Sequence, residues 1–530
     1  MNNVVLVGFM GSGKTTVGRE LADRLQRSFV DLDREIEADA GRSIAEIFAL
    51  EGEAGLRQRE GRRLERALQE EGAVIAAGGG APLADANWQR IRDGNTVVAL
   101  MAEPAELQRR LSGSNGRPLL QPDTGTAIAS LLPARMSRYL EADLLVQTDD
   151  RQPAALAAEI ARQLPSVPLR RIAIEVPGAG HEAVIGTNLT GPITSGMVRL
   201  TDGGAVLLVT DAHLDKPHGS RMLEAFAAAG LRASMHVVPA GEAAKGLEVL
   251  AAIYEALASA GVDRGGVLVA LGGGTVGDVA GFAAATWMRG IRYLQIPTTL
   301  LAMVDSSIGG KTAINLAAGK NLAGAVHQPA GIFADLDYLR TLPEPDYRAS
   351  LAEVIKAALI ADRAFVEWLQ NNLTALLRRE PDAILHAVGR AVLIKARVVA
   401  ADPRETGERA LLNYGHTVGH ALERSLGFGT IRHGTAVAWG MEVAAEVSCM
   451  LGSCTSEVAR VQRELLLEAG LLAHRPVVDR SALLESLRHD KKSRSGTLRW
   501  IVLRDLGRAD YGVTVDAPTV TAALDRVFSG

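Results

Sequence analysis

The chain is poor in cysteine and lacks any long uncharged apolar segment. Of its 530 residues two are cysteines, Cys449 and Cys454, which are too few for a disulfide framework and lack the spacing of a zinc site. No uncharged apolar run reaches the roughly 18 residues that a membrane helix needs. The N-terminus carries no basic segment typical of a secretion signal. We therefore expect a cytoplasmic protein that has no membrane partner.

The chain also lacks a surplus of positive charge. Its formal net charge of −4 argues against a broad nucleic-acid-binding surface, so we expect no nucleic-acid partner. Apolar residues make up 47% and charged residues 22% of the sequence, which is typical of globular proteins. The length predicts two to four domains. An anionic ligand would have to be held by a local group of basic side chains.

Strand-like and helix-like segments alternate through the first third of the chain, which predicts an α/β fold with a parallel sheet. A helix is predicted to begin near Lys14 and another to span about 53–70. The segment 154–164 is predicted to be the closing helix. Prolines then interrupt this alternation of strand-like and helix-like segments. We predict a first domain over 1–165 and a linker over 166–171. The predicted strands lie at 4–8, 29–33, 74–80 and 96–100.

A second α/β pattern follows, and it gives way to long segments rich in Ala, Leu, Glu and Arg near residue 345. We predict a Rossmann-like, NAD-binding α/β subdomain over 172–345 and a mainly helical subdomain over 346–530, which binds metal and substrate in the cleft between them. The predicted strands lie at 172–176, 206–211, 235–242 and 266–274. The predicted helices lie at 348–361, 381–401, 410–426, 433–451 and 455–470.

A phosphate-binding motif, GFMGSGKT, occupies residues 8–15. It matches G-x-x-x-x-G-K-[ST] between a predicted strand and a predicted helix, where backbone N–H groups converge on phosphate oxygens. Lys14 would neutralise the phosphates, and Thr15 would offer its hydroxyl to Mg²⁺. The predicted ATP contacts of this loop are Gly11, Ser12, Gly13, Lys14, Thr15 and Thr16.

The motif alone does not identify the phosphate acceptor. Asp31 and Asp33 alternate on the predicted strand 29–33, so both carboxylates are expected on one face, one for the metal and one for a substrate hydroxyl. The turn 78–80 consists of glycines and allows close backbone approach. Arg57 and Arg135 could grip a carboxylate. A kinase of gluconate or of a nucleotide, and a regulatory nucleotide-binding module, remain as alternatives.

Five ordered motifs in residues 1–160 resemble shikimate kinase: GFMGSGKTT, FVDLDREIE, SIAEIFALEGEAGLRQRE, AAGGG and GRPLL. The resemblance implies transfer of the ATP γ-phosphate to the 3-hydroxyl of shikimate. It implies that Thr15 and Asp31 serve Mg²⁺, and that Arg117 lies on a lid over the phosphates and takes part in catalysis. The implied shikimate contacts are Asp33, also catalytic, Arg57, Gly79 and Arg135.

The larger part of the chain carries a glycine turn and a histidine cluster. LGGGTVGD at 271–278 would place a pyrophosphate at a helix N-terminus, although it is not a full G-x-G-x-x-G motif. His416 and His420 are four residues apart on a predicted helix, and His433 follows. With Glu353 they suggest a catalytic zinc site. The i, i+4 spacing favours His416 with His420, and the residues alone leave open which histidines bind.

This part closely resembles 3-dehydroquinate synthase over about 240–492, through LGGGTVGDVAGF, TWMRGIRYLQIPTTLLAMVDSSIGGKTAIN, GKNLAGAVHQP, LAEVIKAALI, LLNYGHTVGHALE, RHGTAVAWGM and HDKK. The resemblance implies Glu353, His416 and His433 as ligands of Zn²⁺ or Co²⁺. The implied NAD contacts are Asp211, Glu242, Lys245, Gly274, Thr275, Val276, Gly277, Asp278, Thr298, Thr299, Lys311 and Lys320. The implied substrate contacts are Arg289, Asp305, Lys311, Asn321, Lys356, Lys395, Arg409, Asn413, His420 and Lys491, of which Lys311, Lys356, Arg409 and His420 are also assigned to catalysis.

The implied reaction is the NAD- and metal-dependent cyclisation of 3-deoxy-arabino-heptulosonate 7-phosphate to 3-dehydroquinate, with release of phosphate. The whole chain then resembles a bifunctional fusion of two enzymes that make aromatic rings. A homodimer through the synthase half is expected from related synthases. Another sugar-phosphate cyclase and a metal-dependent polyol dehydrogenase remain as alternatives for this half.

Overall fold

The computed structural model describes residues 2–112, 123–166, 168–405, 407–427, 429–492 and 499–528, and the side chains of 488–492 are not among those described. Within the described residues no helix combines the length and the apolar character that crossing a bilayer requires.

The first part of the chain forms a five-stranded, fully parallel sheet with strand order β2-β3-β1-β4-β5. Apolar side chains from both faces of the sheet are buried under helices, which is why the strands are almost continuously apolar. The elements are β1 Val4–Val7, α1 Lys14–Leu25, β2 Phe29–Asp31, α2 Leu32–Ala40, α3 Ile44–Ala67, β3 Val74–Ala76, α4 Asp85–Arg92, β4 Thr96–Met101, α5 Pro104–Leu111, α6 Thr124–Tyr139, β5 Leu144–Gln147 and α7 Pro153–Gln163.

The second part forms a seven-stranded sheet with strand order β6-β7-β14-β11-β10-β8-β9, in which the pair β6–β7 is antiparallel and the other pairs are parallel. A separate hairpin, β12–β13, lies beside α11. The elements are β6 Arg170–Ile174, β7 His181–Gly186, α8 Thr190–Thr201, β8 Val206–Asp211, α9 Ser220–Ala228, β9 Ala233–Val238, α10 Leu247–Ser259, β10 Val267–Gly272, α11 Gly274–Thr286, β11 Arg292–Pro297, β12 Lys311–Leu316, β13 Gly319–Val326 and β14 Gly331–Asp335.

The third part is mainly helical, and its apolar side chains form one core together with those on one face of the seven-stranded sheet. It also contains a hairpin, β15–β16, which packs on α16. The elements are α12 Glu344–Ala361, α13 Arg363–Leu377, α14 Pro381–Ala401, α15 His416–Leu426, α16 His433–Met450, α17 Ser456–Glu468, α18 Arg480–Lys492, β15 Arg499–Asp505, β16 Arg508–Thr514 and α19 Ala517–Phe528. The predicted fold class, an α/β kinase followed by a Rossmann-like and a helical part, is confirmed.

The first two parts contact each other through a buried ion pair. Arg171, in β6, pairs with Asp143, and their side chains are 8% and 6% exposed. Arg92 pairs with Glu182 at 2.7 Å in the same contact. The helix α8 approaches β5 so closely that a Cβ at Gly191 would lie 2.2 Å from a Leu144 methyl. β6 begins at residue 170, inside the segment 166–171 that the sequence suggested as a linker.

Candidate functional sites

The nucleotide end of the first sheet lies where β1 ends and α1 begins. Gly8, Gly11 and Gly13 all have positive φ, which lets the loop bring its N–H groups to one side. The Nζ of Lys14 donates to the carbonyls of Gly8 at 2.9 Å and Phe9 at 3.0 Å. The N-terminus of α1 and this ammonium group together provide a positively polarised pocket for phosphate.

The two aspartates differ in position from the sequence prediction. β2 ends at Asp31, and Asp33 lies in the first turn of α2 rather than on the strand. The reason is local, because the Asp31 side chain accepts from the N–H of Arg34 and so caps the helix. The hydroxyl of Thr15 also donates to Asp31, at 2.8 Å. Asp31 is thereby placed next to a potential Mg²⁺ ligand, while Asp33 faces the glycine turn.

A cavity of about 630 Å³ joins this loop to the predicted acceptor site. Its walls include Asp33, Arg57, Gly79 and Arg135 as well as the loop residues 11–16. Arg135 donates to the carbonyl of Gly79 at 3.2 Å. A Cβ at Gly80 would lie 1.7 Å from an Arg57 nitrogen, so the glycine leaves room for the Arg57 guanidinium in its present position. The structure therefore brings together the predicted residues of this pocket. Arg117 lies outside the described residues.

Two residues of this pocket were missed by the sequence reasoning. Glu60 is buried and pairs with Arg57 at 2.6 Å, and its burial raises the pKa of its carboxyl even though Arg57 acts in the opposite direction. Its spacing of three residues from Arg57 on one helix could have revealed the pair. Arg110 donates to the carbonyl of Gly11 at 3.3 Å and lines the same cavity. No sequence signal distinguished it from other helical arginines.

The second candidate site is centred on Glu353, His416 and His433. These residues come from the middle of α12 and from the first positions of α15 and α16. The Nε2 atoms of His416 and His433 lie 3.6 and 4.0 Å from the same oxygen, Oε1 of Glu353. That oxygen is buried and has no hydrogen-bond partner among the described residues. Three ligand atoms within 4.8 Å of one another, one of them an orphaned carboxylate oxygen, fit a divalent cation.

The local electrostatics favour neutral, metal-binding imidazole at His416. Burial, followed by the nearby Lys356 ammonium group, lowers the pKa of His416 well below its ordinary value. Burial also acts to lower the pKa of His433, but Glu423 and Glu353 outweigh it and raise the pKa. The other carboxylate oxygen of Glu353 pairs with Lys356. His420 is not in this group, and instead shares a second group with Glu423 and His433.

A cavity of about 510 Å³ next to this centre is lined by several basic and amide side chains. Lys395 pairs with Asp305 at its wall. Burial would raise the pKa of Asp305, but Lys395 and Lys356 outweigh burial and lower it. The predicted substrate residues that line this cavity are Asp305, Lys311, Asn321, Lys356, Lys395, Arg409 and Asn413.

An acidic residue missed from the sequence also lines this cavity. Glu405 pairs with Lys311 and accepts from the amide of Asn413 at 2.6 Å. Arg289 is not brought to the cavity within this chain, because it follows the C-terminal end of α11, a helix about 20 Å long whose N-terminus lies at the site. Lys491 falls in α18, and its side chain is outside those described.

A larger cavity, of about 1370 Å³, adjoins the centre on the side of the seven-stranded sheet. It opens at the carboxyl ends of β8 and β10, where ligands bind in open α/β sheets. Its walls include His420, His433 and most predicted cofactor residues, namely Asp211, Glu242, Lys245, Gly274, Thr275, Asp278, Thr298, Thr299 and Lys320. Val276 and Gly277 instead lie buried in the first turn of α11, and Lys311 lines the smaller cavity.

The glycine turn 272–274 leads directly into α11, whose N-terminus faces this cavity. A Cβ at Gly274 would lie 2.8 Å from the Ser306 hydroxyl, so close approach is built into the turn. Lys245 pairs with Asp278 at 2.6 Å, one turn into the helix. A helix N-terminus flanked by a lysine suits a pyrophosphate group.

Comparisons with known proteins find similarity to two enzyme families in different parts of the chain. Residues 10–165 match the family model described as shikimate kinase. Residues 235–349 and 350–493 match those described as 3-dehydroquinate synthase N-terminal and C-terminal. A curated 3-dehydroquinate synthase from Caulobacter vibrioides (strain NA1000 / CB15N) is 46% identical over 325 residues, which cover 60% of this chain and 88% of that protein.

Two solved structures resemble the larger part. The 2-epi-5-epi-valiolone synthase from Streptomyces hygroscopicus subsp. jinggangensis 5008, with NAD⁺ and Zn²⁺ bound, is 26% identical, with a TM-score of 0.60 over 66% of this chain and 96% of that one. A 2-deoxy-scyllo-inosose synthase complexed with carbaglucose-6-phosphate, NAD⁺ and Co²⁺ is also 26% identical, with a TM-score of 0.62 over 68% of this chain and 100% of that one. The chain therefore belongs to the 3-dehydroquinate synthase family, with a shikimate kinase domain preceding the synthase part.

Proposed function

We propose that the chain is a bifunctional enzyme that phosphorylates the 3-hydroxyl of shikimate with ATP and cyclises 3-deoxy-arabino-heptulosonate 7-phosphate to 3-dehydroquinate and phosphate. The observation that carries the synthase assignment is the convergence of Glu353, His416 and His433 between two cavities, one bordered by a helix N-terminus and one rich in cations. The domain limits proposed for these activities remain 1–165, 172–345 and 346–530.

In the kinase part we propose that Asp33 accepts a hydrogen bond from the reacting hydroxyl, and that Arg57 and Arg135 hold the carboxylate of shikimate. Support comes from their position in the cavity that the phosphate loop also lines. Glu60 would keep the Arg57 guanidinium in place through its ion pair. Mg²⁺, held by Thr15 and Asp31, would neutralise phosphate charge. Positioning and charge neutralisation supply most of the rate in reactions of this class.

In the synthase part we propose that Glu353, His416 and His433 hold Zn²⁺ or Co²⁺, which as a Lewis acid would acidify a substrate hydroxyl. Residues around the N-terminus of α11 would hold NAD, which would accept and return a hydride. Lys356, Lys395 and Arg409 would bind the anionic groups of the substrate, and their burial strengthens those contacts. His420 borders both the metal centre and the larger cavity, which suits it to hold a proton next to the substrate.

A paired assay of the purified chain tests both activities. ADP formation that depends on shikimate should be abolished in Asp33→Ala, while phosphate release from the heptulosonate phosphate with NAD should continue. Wild-type ADP formation in that variant would overturn the acceptor assignment. Chelation should stop phosphate release, and Zn²⁺ or Co²⁺ should restore it, while full activity of the metal-free chain would refute the metal assignment. Phosphate release without net absorbance change at 340 nm distinguishes a cyclase from a dehydrogenase, which would accumulate NADH.

We propose that the chain acts in the cytoplasm and forms a homodimer through the synthase half. Light scattering on the purified chain tests the homodimer directly, since a dimer has twice the mass of one chain. A monomeric mass at micromolar concentration would refute the dimer.

A further inference from the structure

His433 lies between two carboxylates that approach opposite sides of its ring. Its Nε2 is 4.0 Å from Oε1 of Glu353, and its Nδ1 is 3.4 Å from Oε2 of Glu423. Glu423 belongs to α15 and follows His416 by seven residues, which places both on one face of the helix. Its side chain is 13% exposed, so solvent screens this contact only partly. The ring of His433 therefore has a distinct partner at each nitrogen.

This arrangement determines which nitrogen can bind a cation. A neutral imidazole carries its proton on one nitrogen and its lone pair on the other. A carboxylate next to Nδ1 keeps the proton there, so the lone pair of Nε2 faces Glu353. His416 has the same arrangement, since its Nδ1 lies 3.3 Å from the carbonyl oxygen of Tyr414. Both ligand rings are thus held with Nε2 towards one carboxylate oxygen.

We infer that Glu423 is a positioning residue that fixes the tautomer and the ring orientation of His433 for metal binding. The inference rests on the proposed metal centre of the synthase and assigns a role to a residue that, in this arrangement, does not itself bind the metal. Partners of this kind typically change metal affinity by about 10- to 100-fold when they are removed. Glu423 acts through His433, so the first property to change is the affinity for the ion.

The structure also defines the competing arrangement. His420, Glu423 and His433 offer ligand atoms within 4.8 Å of one another, so Glu423 could itself bind a second ion. If the Nδ1 of His433 bound that second ion, it could not carry the ring proton. His433 would then not bind at the Glu353 centre as a neutral ring with its proton on Nδ1. The number of ions per chain therefore separates a positioning role from a ligand role.

The test measures Zn²⁺ affinity of the full chain by competition with a chromophoric chelator, together with the bound zinc count and the visible spectrum of the Co²⁺ form. Glu423→Ala should bind Zn²⁺ about 10- to 100-fold more weakly and shift the Co²⁺ spectrum. Glu423→Gln keeps an oxygen acceptor for Nδ1–H and should stay within a few-fold of wild type. Glu464→Ala, which removes an exposed carboxylate on α17, is the matched control and should be unchanged.

Wild-type affinity in Glu423→Ala would overturn the inference, and so would two zinc ions per wild-type chain with one lost in the variant. If Glu423→Ala does not fold, as judged by loss of helical signal in its far-ultraviolet circular dichroism spectrum, Glu423→Asp carries the test. The aspartate side chain is one methylene shorter, so its carboxylate lies farther from Nδ1 of His433, and Zn²⁺ affinity should fall about tenfold. Unchanged Zn²⁺ affinity would refute the positioning role. Failure of the wild-type chain to bind Zn²⁺ would instead remove the proposed metal function itself.

Discussion

The close approach of α16 to α12 gives a severe test of the metal centre. Gly434 follows His433 directly, and a Cβ built there would lie 1.8 Å from the carbonyl oxygen of Ala349 in α12. Ala349 lies one helical turn before Glu353. The obstructing atom belongs to the backbone and cannot rotate away, so the change Gly434→Ala must move one helix relative to the other.

The size of that movement follows from the contact distance. Cβ atoms essentially never approach other heavy atoms closer than 3.0 Å, so the helices must separate by about 1.2 Å, the difference between 3.0 and 1.8 Å. Catalytic sites tolerate errors of about 0.5 Å, and a misplacement of about 1 Å can cost 100-fold in rate. We therefore expect synthase kcat/KM to fall about 100-fold, which corresponds to about 2.7 kcal/mol, and Zn²⁺ affinity to fall at least about tenfold.

The assay compares phosphate release, Zn²⁺ affinity and shikimate-dependent ADP formation in the same preparation. ADP formation should remain at the wild-type level, because the residues that line the kinase cavity all belong to the first part of the chain and none belongs to α12 or α16. Gly180→Ala is the control, since the nearest heavy atom to its added Cβ lies 3.9 Å away. A folded Gly434→Ala protein with wild-type zinc affinity and synthase rate would refute the reasoning.

Three further predictions concern other parts of the molecule. Burial raises the pKa of Asp335 to about 6, so the native state takes up a proton near that pH, whereas the unfolded chain does so only near the ordinary value of 3.8. This group should therefore make the free energy of unfolding about 1 kcal/mol larger at pH 5 than at pH 7, and Asp335→Asn should remove that increment in urea titrations. In a double-mutant cycle with Arg171→Ala and Asp143→Ala, urea unfolding should give a coupling energy of about 1 kcal/mol or more, and additive effects would contradict the contact between the halves. Gly80→Ala would displace the Arg57 side chain rather than backbone, so the KM for shikimate should rise about tenfold with little loss of stability, and an unchanged KM would exclude Arg57 from binding shikimate.

Much of this architecture could be predicted from local sequence. The start of α1 at Lys14 follows from the glycine turn before it, and the strands at 206–211 and 267–272 follow from their short apolar runs. The prediction was wrong for Asp33, because the capping oxygen of Asp31 ends the strand earlier than its alternating pattern suggested. Short segments of this kind are decided by a single hydrogen bond, which periodicity does not capture.

The assembly of the metal centre could not be predicted from spacing. The interval between His416 and His420 favours that pair, yet the structure groups His416 with His433 and with Glu353, which is distant in sequence. Such a grouping depends on how α12 and α16 pack, and packing is decided by contacts far apart in the chain. Glu423 could have been found, because its interval of seven residues from His416 places it on the same helix face.

The buried pair of Arg171 and Asp143 has a consequence for how this fusion can be altered. An alternative kinase transplanted in front of the synthase would leave Arg171 without its counter-charge unless it carried an acidic residue at the same place. An unpaired buried charge of this kind costs about 3–5 kcal/mol, a large fraction of the stability of a domain. The boundary between the two enzymes therefore restricts which kinases can be grafted onto this synthase.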